Sequence, residues 1–159
     1  MAKKKLFLAI ILLSLCLACS VNSDEEIIDK EKKIGKNFKE PPNLTIAIGE
    51  KTIGAAKGVY SWKYYDEATG EISHTEVDAA PPPQLVDVAQ ATSVHGDSEV
   101  SLLFDDPPSD YTVRVWDSEG VIASYDTIEL SAYEGDVIYE VEANWVQGTA
   151  SYAFAIFID

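Results

Sequence analysis

The feature that most constrains this chain is a two-residue alternation of apolar and polar side chains, which recurs in nearly every segment after Pro42. In one such run, Val113 and Val115 alternate with Thr112, Arg114 and Trp116. In another, the apolar residues Tyr139, Val141 and Ala143 alternate with Glu140 and Glu142. Successive side chains point to opposite faces of a strand, so this pattern places the apolar residues on one face. No segment repeats well at the helical period. The chain after Pro42 is therefore predicted to form β-strands.

Turn residues separate the alternating runs at intervals of about 8–12 residues. Residues 66–71 and 117–120 have the Asp and Gly content of hairpin turns. The prolines at 81–83 and 107–108 belong in connections, because proline cannot donate to a central strand ladder. Together these signals predict an all-β fold, a single antiparallel β-sandwich over residues 42–159.

The start of the chain has the three parts of a secretory signal peptide. Three lysines at residues 3–5 are followed by an apolar run over 6–17, and Ala18 is the small residue before the expected cut. The apolar run is too short to span a bilayer comfortably. We predict that residues 1–18 are a signal peptide; a buried N-terminal helix and an uncleaved membrane anchor are the alternatives.

The next residue, Cys19, completes the stretch Leu17-Ala18-Cys19. This stretch resembles the lipobox of bacterial lipoproteins, in which the cysteine becomes the lipidated first residue of the mature chain. Cys16 stands where that family usually has leucine. The resemblance implies lipidation of Cys19 and a membrane anchor with at least two acyl chains, enough for stable attachment. The chain has two cysteines, and Cys16 leaves with the leader while Cys19 carries the lipid. The mature domain then has no disulfide.

Residues 19–41 are predicted to be a disordered charged tether. Between Ser20 and Glu40 there are six acidic residues and five lysines, with few apolar residues. Such a segment cannot bury enough apolar surface to fold alone. As a flexible coil, 21 residues span about 25 Å, so the domain would be held near the membrane but clear of it.

The charge of the chain is strongly negative. Twelve lysines and arginines stand against 27 acidic residues, a formal net charge of −15. From Pro41 onward, 21 acidic residues face three lysines and Arg114, which gives −17. Nucleic-acid binding requires clustered basic residues and is therefore excluded. The acidic surface either maintains solubility or attracts metal ions or a basic partner.

The second half of the chain has features of a known sandwich. The stretch from Gly135 to Val141 resembles the E–F corner of immunoglobulin-like domains, with Tyr139 in the place of the tyrosine-corner residue. On this resemblance the strands are B at 99–105, C at 111–117, C′ or D and E within 121–131, F at 136–146 and G at 149–159. The fold hosts many unrelated functions, so the resemblance implies architecture and no activity.

Three further motifs are Gly58–Trp62, Pro81–Leu85 and Trp145–Phe154. With them the chain resembles uncharacterised small lipoproteins of Gram-positive bacteria that carry an immunoglobulin-like domain. Such relatives often have a paired cysteine where Ser61 stands, so a disulfide that the family implies is missing here. The resemblance implies a location in the cell membrane, lipid-anchored and facing the extracytoplasmic side.

Aromatic side chains form one candidate binding site. Tyr60, Trp62 and Tyr64 share a strand face. They are core residues if that face is covered. If it is open, their rings suit sugar rings or a protein partner.

Acidic side chains form a weak candidate metal site. Asp105, Asp106 and Asp110 lie in one connection, and calcium takes six to eight oxygen ligands. The alternative is a solvated turn. His74 and His95 each stand alone in polar surroundings, without the spacing of metal ligands.

These observations contain no catalytic constellation, and we expect no cofactor. The leading hypothesis is a non-enzymatic binding or accessory module of the cell envelope, anchored through the lipid on Cys19, with an envelope protein or glycan as partner. The alternatives are a small envelope hydrolase that uses carboxylates and a purely structural or adhesive surface domain.

Overall fold

The computed structural model describes residues 36–159. The predicted signal peptide, Cys19 and the predicted tether as far as residue 35 lie outside the described residues. The described part is an all-β sandwich of two sheets, which confirms the predicted fold class.

Ten strands make up the sandwich within residues 36–159. They are β1 (Leu44–Ile48), β2 (Lys51–Gly54), β3 (Ala56–Asp66), β4 (Glu71–Val77), β5 (Thr92–Val94), β6 (Val100–Phe104), β7 (Asp110–Trp116), β8 (Val121–Tyr125), β9 (Gly135–Trp145) and β10 (Gly148–Ile158). The helical elements are one short α-helix, α1 (Pro82–Leu85), and 3₁₀ turns at Val88–Gln90 and Leu130–Ala132. The prolines expected in connections lie there.

The two sheets are unequal. The larger has the order β4-β3-β10-β9-β7-β8, and β5 pairs in parallel with the end of β10. The smaller has the order β2-β1-β6. All pairings other than that of β5 are antiparallel.

The long hairpin of β9 and β10 supplies the centre of the core. The register pairs Tyr139 with Phe154 and Val141 with Tyr152, so these side chains share the inner face. The rings of Tyr139 and Phe154 stack with centroids 5.3 Å apart. All four side chains are almost completely buried. Burial of this kind is the main stabilising term for a domain without a disulfide.

β10, β9, β7 and β8 are neighbours in this order, which is the order of strands G, F, C and C′ in the sandwich that the sequence resembles. Tyr139 lies in the F-like strand and is completely buried. Its hydroxyl donates to the Glu129 carbonyl oxygen at 3.3 Å, ten residues upstream. This bond ties the start of β9 to the preceding connection, as the tyrosine corner does.

The expected D and E region differs from the structure. Residues 121–131 provide only β8, and the chain then forms the 3₁₀ turn Leu130–Ala132. Between residues 126 and 131 only Ile128 and Leu130 are apolar, and Leu130 is buried at the turn. The segment therefore contains too few apolar residues to form a strand of the smaller sheet. The smaller sheet instead pairs β6 with β1.

The last part of the predicted tether is attached to the domain. Asn37 brackets the backbone of Tyr65, because its amide donates to the Tyr65 carbonyl oxygen at 2.9 Å and its oxygen accepts from the Tyr65 N–H at 2.7 Å. The carbonyl oxygen of Phe38 accepts from the Trp62 indole at 2.9 Å and from the Gln147 amide at 2.8 Å. Gln147 itself is 5% exposed.

The two prolines that follow are buried. The hydroxyl of Tyr152 donates to the carbonyl oxygen of Pro42. Residues 36–41 are therefore part of the folded domain, and the prediction that the disordered tether extends to residue 41 is wrong at this end. This polar segment is ordered because side chains of the domain form hydrogen bonds with its backbone and side-chain groups.

Three tyrosine hydroxyls make folding stability sensitive to alkaline pH. Burial raises the pKa of Tyr139 and of Tyr152, and burial with a hydrogen bond to Tyr125 raises the pKa of Tyr133 to about 12. Tyrosines in the unfolded chain ionise at a pKa of about 10. The unfolded chain therefore releases these protons first, and stability declines as pH rises from about 10 toward the raised pKa values.

We expect urea denaturation to give a constant free energy of unfolding between about pH 8 and 9.5 and a falling one above about pH 10. The variant Tyr139→Phe should have a shallower decline, because phenylalanine has no proton to release. Equal slopes for the two proteins would contradict burial of the Tyr139 hydroxyl as the cause.

Candidate functional site

The aromatic residues predicted as a candidate binding site, Tyr60, Trp62 and Tyr64, do not form an open face. Trp62 is completely buried, and its ring lies edge-on to Trp145 with centroids 5.5 Å apart. Its indole N–H is bonded to the Phe38 carbonyl oxygen. Tyr60 and Tyr64 are half-buried. Trp62 is therefore a core residue, the alternative that the sequence left open, and a ligand cannot stack on its ring in this structure.

The three carboxylates of the candidate metal site separate. Asp105 accepts from the side-chain amide of Asn43 at 2.9 Å. Asp106 is paired with Lys36. These partners draw the two neighbouring carboxylates toward different parts of the chain.

The third carboxylate, Asp110, accepts from the side-chain amide of Asn144 at 2.6 Å. Each of the three aspartates is thus engaged by a separate partner. Across the described residues, no three His, Cys, Asp or Glu side chains come together as a metal site. The connection between β6 and β7 is held by hydrogen bonds of the protein itself.

A set of charged and aromatic side chains that was not predicted as a site meets on the outer face of the larger sheet. Arg114 donates to Glu142 at 2.9 Å and to Glu140 at 3.3 Å, and the Trp116 indole donates to the same Glu140 oxygen at 2.9 Å. We call these four residues the outer patch. Glu140 is 8% exposed, an unusual burial for a carboxylate that its two donors make tolerable.

Strand register explains why these residues meet. Arg114 pairs with Glu140 across β7 and β9, and alternation brings Trp116 and Glu142 to the same outer face. Hydrogen bonding to Glu142 is the largest cause that raises the pKa of Arg114 further, so its charge is permanent. The patch is a fixed arrangement of one cation, two anions and an indole.

The surroundings of the outer patch are apolar and accessible. A bulge between Val115 and Trp116 shifts the register with β8 and brings Val121 opposite Trp116. Val121 and Ile122 are 47% and 56% exposed. An aromatic ring, fixed polar groups and exposed apolar side chains on a rigid sheet are the elements of a recognition surface.

Sequence reasoning placed Arg114 and Trp116 on the face opposite Val113 and Val115, and this is where they lie. It did not join them to Glu140, because the pairing of β7 with β9 is not visible in alternation. The available signal was that Arg114 is the single arginine of the chain, in a domain rich in carboxylates.

The structure also brings together a serine and a histidine. Ser61 Oγ lies 2.9 Å from His74 Nε2 on adjacent strands, and Glu76 lies 3.7 Å from the same nitrogen. A hydrolytic triad needs its carboxylate on the other ring nitrogen, where it orients the imidazole. The side chains of His74 and Glu76 are 43% and 75% exposed. The arrangement is a polar surface pair outside any water-excluding cleft.

Comparison of the chain with protein-family models, with curated proteins and with solved structures gives no match. In the part of the chain that the structure describes, no helix has the length and apolar character needed to cross a membrane.

Proposed function

We propose that this protein is a lipid-anchored extracytoplasmic lipoprotein whose acidic β-sandwich binds a component of the cell envelope without catalysing a reaction. The anchor rests on the basic and apolar leader and on Leu17-Ala18-Cys19. The binding role rests on one observation above all, the outer patch on β7 and β9.

The chemistry of the outer patch favours a sugar as the bound component. The apolar face of a sugar ring packs on an indole such as that of Trp116, while its hydroxyls require donors and acceptors at fixed positions. Arg114 supplies donors, and Glu142, whose side chain is 44% exposed, supplies acceptors. The domain charge of −17 repels polyanionic polymers, so the partner is a neutral or amine-bearing glycan.

A hydrolase is the second candidate, and one observation favours it: the contact of Ser61 with His74. It ranks below the binding role because the nearby carboxylate meets the wrong nitrogen and the pair is exposed. The carboxylates of the outer patch are a weaker basis, because Arg114 bonds to both.

The anchor is tested by mass spectrometry of the N-terminal peptide of the chain expressed in a lipoprotein-processing bacterium. We expect the mature chain to begin at Cys19 and to carry acyl chains. The Cys19→Ser variant should lose the modification and leave the membrane fraction. An unmodified Cys19, or an intact leader in the membrane fraction, would refute the anchor.

The binding role is tested with residues 20–159, which lack the lipidated Cys19, and with insoluble neutral or amino-sugar polysaccharides from the envelope. Trp116→Ala should weaken binding at least about tenfold, as expected for a central aromatic contact. Ile72→Ala is the matched control, because Ile72 is an exposed apolar residue of β4 on the same sheet. Equal binding by the three proteins would remove the outer patch from the account.

A further inference from the structure

The edge of β6 is a second surface, separate from the outer patch. At its two ends the Asp105 N–H donates to the Asn43 carbonyl oxygen and the Gly49 N–H donates to the Glu99 carbonyl oxygen. In an antiparallel ladder, bonded and non-bonded pairs alternate. Ser101 and Leu103 therefore bond to β1, while the residues that alternate with them along β6 direct their N–H and C=O groups away from β1.

The residues with outward backbone groups are Val100, Leu102 and Phe104. Within residues 36–159, β6 pairs with β1 alone, and no backbone hydrogen bond joins these three residues to another segment. A row of free donors and acceptors at strand spacing accepts another extended chain.

The packing of the sandwich leaves room for such a chain. The smaller sheet has three strands, and it lies against a larger sheet with six strands in its main path. The inner residues of β1 are buried, with Ile46 at 0% exposure, whereas Leu102 and Phe104 of β6 are only half-buried. The core-facing Ala123 and Tyr125 of β8 are also half-buried. A strand added beside β6 would widen the smaller sheet and cover more of the half-buried core-facing side chains.

The edge of β6 also lacks the usual protection. Its sequence, Val-Ser-Leu-Leu-Phe, contains no charge and no proline, and Leu103 is 51% exposed. The edge strand β4, in contrast, carries Glu71, His74 and Glu76. Natural sheets block free edges with charges, proline or bulges to prevent pairing. An unblocked edge beside an incompletely covered core favours the addition of another strand to β6.

We propose that β6 accepts an extended segment of a partner protein as an additional strand, and that this segment has alternating apolar residues flanked by lysine or arginine. The flanking charge follows from Glu99 and Asp105, which are exposed at the two ends of β6. This inference goes beyond the proposed glycan binding, because it uses another surface and another class of partner.

The same charges oppose a second copy of this chain as the occupant. A two-fold antiparallel pairing of β6 centred on Leu102 would place Glu99 opposite Asp105 of the other copy. Like charges directly opposite each other destabilise a strand pair. The overall negative charge of each copy adds to this repulsion.

The test uses residues 20–159 and three synthetic peptides. One has the sequence Lys-Val-Thr-Val-Thr-Val-Lys, the second has glutamates at both ends, and the third has proline at its central valine. We expect the lysine-flanked peptide to bind at least about tenfold more tightly than the other two, because they place like charges together or lack a ladder donor. Hydrogen exchange should slow at the amides of Leu102 and Phe104, which are free in the unbound protein.

Two variants complete the test. Glu99→Lys should remove the preference for the lysine-flanked peptide, because one end of β6 is then positive while Asp105 keeps the other end negative; the exposed side chain at residue 99 makes the change compatible with folding. Leu102→Pro removes an outward N–H that β1 does not use, and it should abolish binding of the lysine-flanked peptide. Trp116→Ala should leave peptide binding unchanged, which separates this site from the outer patch. Equal binding of all peptides, no protection at Leu102, or self-association of the chain through β6 would overturn the proposal.

Discussion

Replacement of Trp62 by alanine is expected to lower the free energy of unfolding by about 4 kcal/mol, the usual cost of truncating a buried large aromatic side chain. The indole is completely buried and lies against Trp145. Its N–H also holds the Phe38 carbonyl oxygen, so the substitution releases the docked N-terminal segment as well as opening a cavity. Urea denaturation followed by circular dichroism measures the change.

Two comparisons identify the cause. Trp62→Phe should cost less than the alanine variant, because it retains most of the ring volume while losing the hydrogen bond. Trp116→Ala should also cost less, because Trp116 is partly exposed on the outer face. A loss below about 1 kcal/mol for Trp62→Ala would contradict the placement of this side chain in the core.

Gly148→Ala is expected to destabilise the domain by about 3 kcal/mol, at the upper end of overpacking effects. A Cβ atom at residue 148 would lie 1.9 Å from the Ser61 carbonyl oxygen, so the pairing of β10 with β3 would have to shift. That pairing also positions Gln147, whose amide donates to the carbonyl oxygens of Phe38 and Lys63. Thermal or urea denaturation of the variant checks the prediction.

Gly120→Ala is the matched control for this substitution. Gly120 has φ of 155° and Gly148 has φ of 154°, so alanine meets the same backbone preference at both positions. At Gly120 no atom lies within 4 Å of the added Cβ. The difference between the two variants therefore measures the clash with Ser61. Equal losses would show that backbone conformation alone accounts for the effect.

The strand pattern was predictable because it is local. Alternation at Tyr139, Val141 and Ala143 fixed the inner face of β9, and the structure buries all three. The glycine turn at residues 66–71 was equally readable, since Gly70 adopts the positive φ of 72° that this hairpin requires.

Whether a strand face is covered was not predictable, because the cover comes from elsewhere in the chain. The indole of Trp62 is bonded to Phe38, which lies in the segment 36–41 whose charged composition predicted a tether. The pairing of β6 with β1 has the same character, since Leu102 and Ile46 are distant in sequence. Their contact depends on loop closure and on competition with other strands, and neither is encoded in a local period.

Only part of the outer patch could be predicted from the sequence. Alternation placed Arg114 and Trp116 on the outer face, and the same reasoning placed Glu140 and Glu142 opposite the inward residues of β9. Their meeting required the register of β7 against β9, which joins residues 26 and 28 positions apart. A search for short motifs cannot find a site whose members lie on separate strands.

The most direct test of the binding account follows the three indole N–H signals of the protein in a nuclear magnetic resonance titration. Residues 20–159, without the lipidated Cys19, are titrated with neutral or amino-sugar oligosaccharides released from the envelope. The Trp116 indole, bonded to Glu140 in the outer patch, should shift with added oligosaccharide. The indoles of Trp62 and Trp145 should remain unchanged, because they are bonded to the Phe38 and Asp106 carbonyl oxygens. A constant Trp116 signal, or cleavage of the oligosaccharide during the titration, would contradict the proposed function.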